Sequence, residues 1–105
     1  MDLNDLLQEI ENLNIENNTQ AQSQLNEYIK KTYNLFCKTG SITDWQKIYI
    51  VQAIAAYKIN WLFLCKFSLI SAFEDDERIS KEPGYVARCK ETVEKLNMDE
   101  LLSNI

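Results

Sequence analysis

The chain has 105 residues, 26% of them charged, with a net charge of −5 and no histidine. That length allows one domain with a self-sufficient hydrophobic core. The negative sign disfavours a phosphate-binding surface, and the lack of histidine removes the commonest general base and metal ligand.

Three cysteines, Cys37, Cys65 and Cys89, are odd in number and widely spaced. Each sits in an apolar-periodic segment, as expected of reduced thiols acting as small hydrophobes in a cytoplasmic setting. The start of the chain, Met1 to Ile10, carries acids where a signal peptide would carry positive charge. Charge is unevenly distributed. Residues 1–27 hold six acids and no base, whereas residues 28–66 hold six lysines and a single acid, Asp44. Pairing of the first segment with the second would neutralise both, at about 0–1 kcal/mol for each exposed pair.

Leu3, Leu6, Leu7, Ile10 and Leu13 share one helical stripe and predict a short amphipathic helix over residues 2–13. Leu3, Leu6 and Leu7 also match the L-x-x-L-L pattern of docking peptides, but a leucine-striped helix covering a core produces the same spacing. Residues 14–24 turn polar and predict a connection. Thr19 and Gln22 have capping-box spacing, and Leu25, Tyr28, Ile29, Thr32, Leu35 and Phe36 give the next helix its stripe, ending at Gly40.

Thr43 and Gln46 repeat the capping-box spacing at the head of the most apolar stretch, Asp44 to Phe73, which contains neither Gly nor Pro. Its few polar residues, Lys58, Asn60, Lys66 and Ser68 among them, are scattered around the helical wheel, so the stretch should be buried on most sides. As one helix it would be roughly 45 Å long and serve as the axis of the molecule. A break near Lys58 to Asn60, giving two shorter helices, is the alternative. A membrane span is disfavoured, because each internal lysine costs about 3 kcal/mol near a bilayer centre.

After Phe73 come four consecutive acids, Glu74, Asp75, Asp76 and Glu77. They oppose the dipole of the preceding helix by about 0.3–1 kcal/mol each. Pro83 suits the first turn of a following helix striped by Tyr85, Val86, Cys89, Val93 and Leu96, and Asn97 with Glu100 has the spacing to cap a last short helix.

These elements predict an all-α single-domain bundle of four to five helices around a long central helix at about residues 44–73, with Phe36, Ile54, Trp61 and Leu62 in the core. Trp61→Ala is then expected to cost about 3–5 kcal/mol.

No catalytic or ligand-binding signature emerges. The cysteines lack C-x-x-C spacing, Gly40 and Gly84 are isolated, and the acids at 74–77 do not alternate as calcium ligands do. The chain is therefore expected to be non-enzymatic and to need no cofactor or metal. The first functional expectation is a small acidic protein that neutralises a basic protein partner, such as an immunity protein, an antitoxin or a phage-type inhibitor of a nucleic-acid enzyme. Its partner-binding residues would be Glu74, Asp75, Asp76, Glu77 and Tyr85, and it would touch neither nucleic acid nor membrane. The alternative is a structural or adaptor subunit, in a helical assembly or a homodimer, held through the surface of the central stretch.

Overall fold

A computed structural model of the chain describes residues 2–16, 19–39, 42–74, 84, 91, 95 and 97–105. The described residues are helical without strands, in five helices: α1 (Leu3–Asn12), α2 (Ala21–Thr39), α3 (Asp44–Lys58), α4 (Leu62–Ser71) and α5 (Met98–Ser103). The all-α bundle is as the periodicity predicts. The long axial helix is not, because the stretch from 44 to 73 folds back on itself.

Helix α1 starts at a capping box in which the Asp5 N–H donates to Asp2 Oδ1 (2.9 Å) and the Asp2 N–H donates to Asp5 Oδ2 (3.4 Å). Its stripe enters the core through Leu6 and Ile10, continued by Leu13 and Ile15 beyond the helix. Because Leu6 is fully buried and Leu3 packs against the core, the L-x-x-L-L pattern serves packing. Helix α2 buries Ala21, Leu25, Ile29, Thr32 and Phe36, which recur every three or four residues, so one face of all five turns looks inward.

The expected cap on α3 is present. The Gln46 N–H donates to Thr43 Oγ1 (3.4 Å), and the Thr43 N–H donates to Gln46 Oε1 (2.8 Å). At its other end α3 is stopped by Asn60, whose φ of 60° lies in the left-handed region. The Asn60 N–H donates to the Tyr57 carbonyl (3.0 Å) and the Trp61 N–H to the Ala56 carbonyl (2.8 Å). Those two bonds are the 5→2 and 6→1 pair of a Schellman cap, in which the left-handed residue is usually Gly and sometimes Asn. Asparagine thus takes here the position that glycine usually holds.

Three residues, 59–61, link α3 to α4, so the two helices run antiparallel and form the most extensive helix pair of the bundle. The far end is tied as well, since Gln46 Nε2 donates to the Ala72 carbonyl (3.1 Å). The inward residues of the pair are mostly small: Ala53 and Ala56 from α3, Cys65 and Ser68 from α4, and Ala72 at the C-cap of α4. Small side chains let the two backbones approach, with Ile50, Ile54 and Leu69 filling the remaining volume. Ser68 is buried without an unpaired hydroxyl, because its Oγ donates to the Leu64 carbonyl (2.7 Å).

Helices α1 and α2 pack on this hairpin, and α5 touches α3. The Phe36 and Phe73 rings meet at 5.4 Å between centroids, joining α2 to the end of α4. Asn97 caps α5 by accepting from the Glu100 N–H (3.1 Å), and Met98 is buried behind it.

The fold-back changes two of the four expected core residues. Phe36 and Ile54 are buried, whereas Leu62 is only half-buried and Trp61, set at the N-cap of α4, is 55% exposed. The doubling gives a radius of gyration of 13.4 Å and a longest dimension of 40 Å. No helix among the described residues is long and apolar enough to cross a membrane.

The left-handed residue makes the turn testable. Asn60→Gly should leave stability within about 0.5 kcal/mol, while Asn60→Val, which places a β-branched side chain at positive φ, should cost about 1–3 kcal/mol in urea denaturation. Equal effects of the two changes would mean that the hairpin does not depend on this conformation.

Candidate functional site

Helix α4 is apolar on two sides, but the two sides differ in kind. The inner side holds Cys65, Ser68, Leu69 and Ser71, all buried. The outer side holds Phe63 and Phe67, four residues apart and therefore stacked on one face. They are 64% and 62% exposed, and Ile59 (69%) and Trp61 are exposed in the preceding turn. Two serines and a cysteine thus face the core while two phenylalanines, a tryptophan and an isoleucine face solvent, the reverse of what folding alone favours. With roughly 150–250 Å² on each aromatic side chain, the three aromatics and Ile59 together leave on the order of 500 Å² of apolar surface in water. The largest patch on a typical monomer is about 300–600 Å² and is often functional.

The only charged residues in the sequence between Asp44 and Glu74 are lysines, Lys47, Lys58 and Lys66. Lys58 is exposed beside Ile59. Lys66 is engaged: its Nζ donates to the carbonyls of Glu11 (3.0 Å) and Leu13 (2.9 Å), which supplies positive charge to the carbonyl end of α1, a helix with no base in its last turn. The expected pairing of the acidic first segment with the lysines therefore takes, at Lys66, the form of a bond to backbone rather than to carboxylates.

A concave surface lies between α1 and α2. It is an open groove of about 800 Å³ whose walls include Asp5, Glu9, Asn12 and Tyr28, and a smaller depression of about 300 Å³ alongside it adds Glu27 and Lys31. Tyr28 stands between the two. Burial, and then the neighbouring Glu9 carboxylate, push its hydroxyl pKa up, while the Lys31 ammonium lies 6.0 Å from its ring centroid. The groove is acidic and polar, and its chemistry suits cations or basic side chains.

Of the residues expected to bind a partner, Glu74 is exposed just after α4, its N–H donating to the Ser71 carbonyl (3.1 Å). Asp75, Asp76, Glu77 and Tyr85 lie outside the described residues. The aromatic face was not singled out as a site from sequence, although its residues are among the apolar ones of the central stretch. The available signal was the i, i+4 pair Phe63 and Phe67 lying opposite a stripe of Cys and Ser.

Cysteine chemistry divides by position. Cys65 is fully buried, and burial pushes its thiol pKa up to about 12. Cys37 is an exposed free thiol, contrary to the expectation that every cysteine is a core residue, because it falls one position past the Phe36 stripe. It is hydrogen-bonded with Tyr33, whose own pKa is pushed up to about 12, first by burial and then by that bond. Cys89 lies outside the described residues. Among the described residues, no three His, Cys, Asp or Glu side chains are grouped so as to hold a metal ion. No family model matches the sequence, and no characterised protein or solved structure is significantly similar to it.

Proposed function

We propose that the chain is a structural or adaptor subunit, without enzymatic activity, that docks onto a protein partner through the outer face of α4. The observation carrying this reading is the exposure of Phe63 and Phe67 on one face of a helix whose buried side holds Cys65, Ser68, Leu69 and Ser71, with Ile59 and Trp61 also exposed in the turn before it. Burying about 500 Å² of such surface contributes on the order of 12 kcal/mol before the loss of translational and rotational freedom is subtracted. Aromatic residues clustered at the centre of a patch are also the residue type that dominates interface energetics.

The acidic inhibitor reading, which includes immunity proteins, antitoxins and phage-type inhibitors, keeps the support of two observations. Asp5, Glu9 and Tyr28 line a groove of suitable sign for a basic partner, and Glu74 is exposed at the other end of the acid-free stretch. The two readings differ in how association depends on salt.

The test is the double variant Phe63→Ser, Phe67→Ser, compared with wild type for thermal stability and for association with co-purifying protein across ionic strength. Both side chains are largely outside the core, so melting should move by no more than a few degrees. Association should fall about 100-fold or more and depend little on salt. Association that survives the double change but weakens steeply with salt would transfer the function to the acidic surface.

A further inference from the structure

We propose that the α3–α4 turn is a hinge, and that the chain also forms a domain-swapped dimer in which residues 44–71 of each copy run as one helix and α4 packs on α3 of the other copy. The proposal is independent of the adaptor reading above, because it leaves the outer face of α4 unused.

The hinge is short and conformationally marginal. Only residues 59–61 separate the two helices, and the chain reverses through Asn60 at a φ of 60°, a conformation that disfavours residues other than glycine. No Gly or Pro lies between Asp44 and Phe73, so nothing in the covalent chain prevents an uninterrupted helix. Short links under strain are where identical elements exchange between copies.

The second observation is helical phase. Ile50 and Ile54 are buried on α3, and Cys65 and Ser68 are buried on α4. On a continuous helix, Ile50, Ile54, Tyr57, Trp61, Cys65 and Ser68 follow one another at spacings of three and four and make a single stripe. The buried sides of the two helices are therefore in phase through the turn, and Trp61 joins them. Helices that never join are under no constraint to share a phase. In the hairpin Trp61 is 55% exposed; on the continuous helix it falls on the inward stripe.

The third is that exchange keeps the contacts already made. Helices α3 and α4 form the most extensive pair of the bundle, and a swapped α4 rebuilds that pair with the other copy. The Gln46–Ala72 bond, the Lys66 bonds to Glu11 and Leu13 and the Phe36–Phe73 contact re-form between copies in the same way. The antiparallel register, set where Gln46 meets Ala72, brings Tyr57 of one copy near Trp61 of the other on both sides of a twofold axis. The swapped dimer thus retains the hairpin's interface, releases Asn60 from the left-handed conformation and adds an aromatic contact at its centre.

Exchange needs α4 to leave the core, so the experiment is refolding of the full chain from urea at high protein concentration, followed by sedimentation. Wild type should give a mixture of monomer and dimer. Asn60→Ala, which favours helix and disfavours the left-handed turn, should raise the dimerisation constant by about 100-fold, because two hinges change in every dimer at about tenfold each. Asn60→Gly, which suits the turn and weakens a helix, should lower it by about tenfold while the monomer stays folded. Trp61→Ser, a change of nearly neutral helix propensity, should also lower it by about tenfold through the lost central contacts. Phe63→Ser, Phe67→Ser should leave it unchanged, since both side chains stay on the outer face.

If wild type and Asn60→Ala both remain monomeric, the hinge proposal is overturned. A dimer whose population responds neither to Asn60→Ala nor to Asn60→Gly overturns it as well, because a contact between intact hairpins does not depend on the backbone at residue 60. A dimer lost on Phe63→Ser, Phe67→Ser but kept on Trp61→Ser would be joined through the outer faces, and the swap would again be excluded. None of these results touches the adaptor reading, whose own test is association with a co-purifying protein.

Discussion

Leu69→Ala should lower the unfolding free energy by about 3–5 kcal/mol, while Trp61→Ala should cost only about 1–2 kcal/mol, although tryptophan is much the larger residue. Leu69 is fully buried on the inner side of α4, where removal of its branched end leaves a cavity walled by α3 and the other helices. Trp61 stands on the turn with more than half its surface in solvent, so truncation forfeits only the buried fraction and opens no enclosed void. Urea denaturation with an unchanged m-value is the measurement. Costs for Trp61→Ala equal to those for Leu69→Ala would mean that the indole is buried in solution, either by the core or by a tight dimer. A concentration-dependent midpoint would separate the two.

The second large effect is alkaline. The unfolded chain releases the Cys65 proton near pH 9.0, whereas burial holds it in the folded chain to about pH 12. Between those values the folded state binds more protons than the unfolded state, so stability falls as pH rises, and below pH 9 this group leaves it flat. At about 1.4 kcal/mol per pH unit, the loss from Cys65 alone is on the order of 4 kcal/mol by pH 12. Tyr33, raised from 10.0 to about 12, acts in the same direction above pH 10. Stability measured from pH 7 to 11 should therefore be level and then decline, and Cys65→Ala should flatten the decline while lowering stability at pH 7. A thiol reagent should modify Cys37 in the folded protein and reach Cys65 only on unfolding. Rapid labelling of native Cys65, or an alkaline decline unchanged in Cys65→Ala, would show that the thiol is not sequestered.

Both effects depend on which side of α4 faces inward, and that choice was not readable from periodicity. For α2, apolar residues recur on one stripe and polar residues occupy the rest, so its buried set was evident from spacing. For α4, Phe63 and Phe67 make one apolar stripe, while Cys65, Leu69 and Ala72 make another. Two stripes of comparable hydropathy leave the helix without a preferred rotational phase. The smaller set went inward because α3 also presents small residues, and two such faces pack closely where two rows of phenylalanine would not.

The candidate site follows the same division. An acidic patch near Glu74 is visible in sequence because charge needs no partner to be recognised. The aromatic patch was hidden inside a run that looked uniformly buried, since exposure is a property of what surrounds a residue.

By itself the sequence determined what local rules control: an all-α chain, the phases of α1 and α2, the Thr43–Gln46 cap, the Asn97 cap and the imbalance of charge along the chain. These depend on contacts within a few residues or on counting. Only the tertiary structure decided that the stretch from 44 to 73 breaks at Asn60 and which face of α4 remains in water. Asparagine in the left-handed conformation has an intrinsic cost, so the residue type at Asn60 does not by itself end the helix. The turn becomes the stable choice once α4 can fold back on α3, burying Leu69 and Cys65 and closing the far end with the Gln46–Ala72 bond. That free energy comes from residues up to 26 positions apart in sequence, which no local pattern contains.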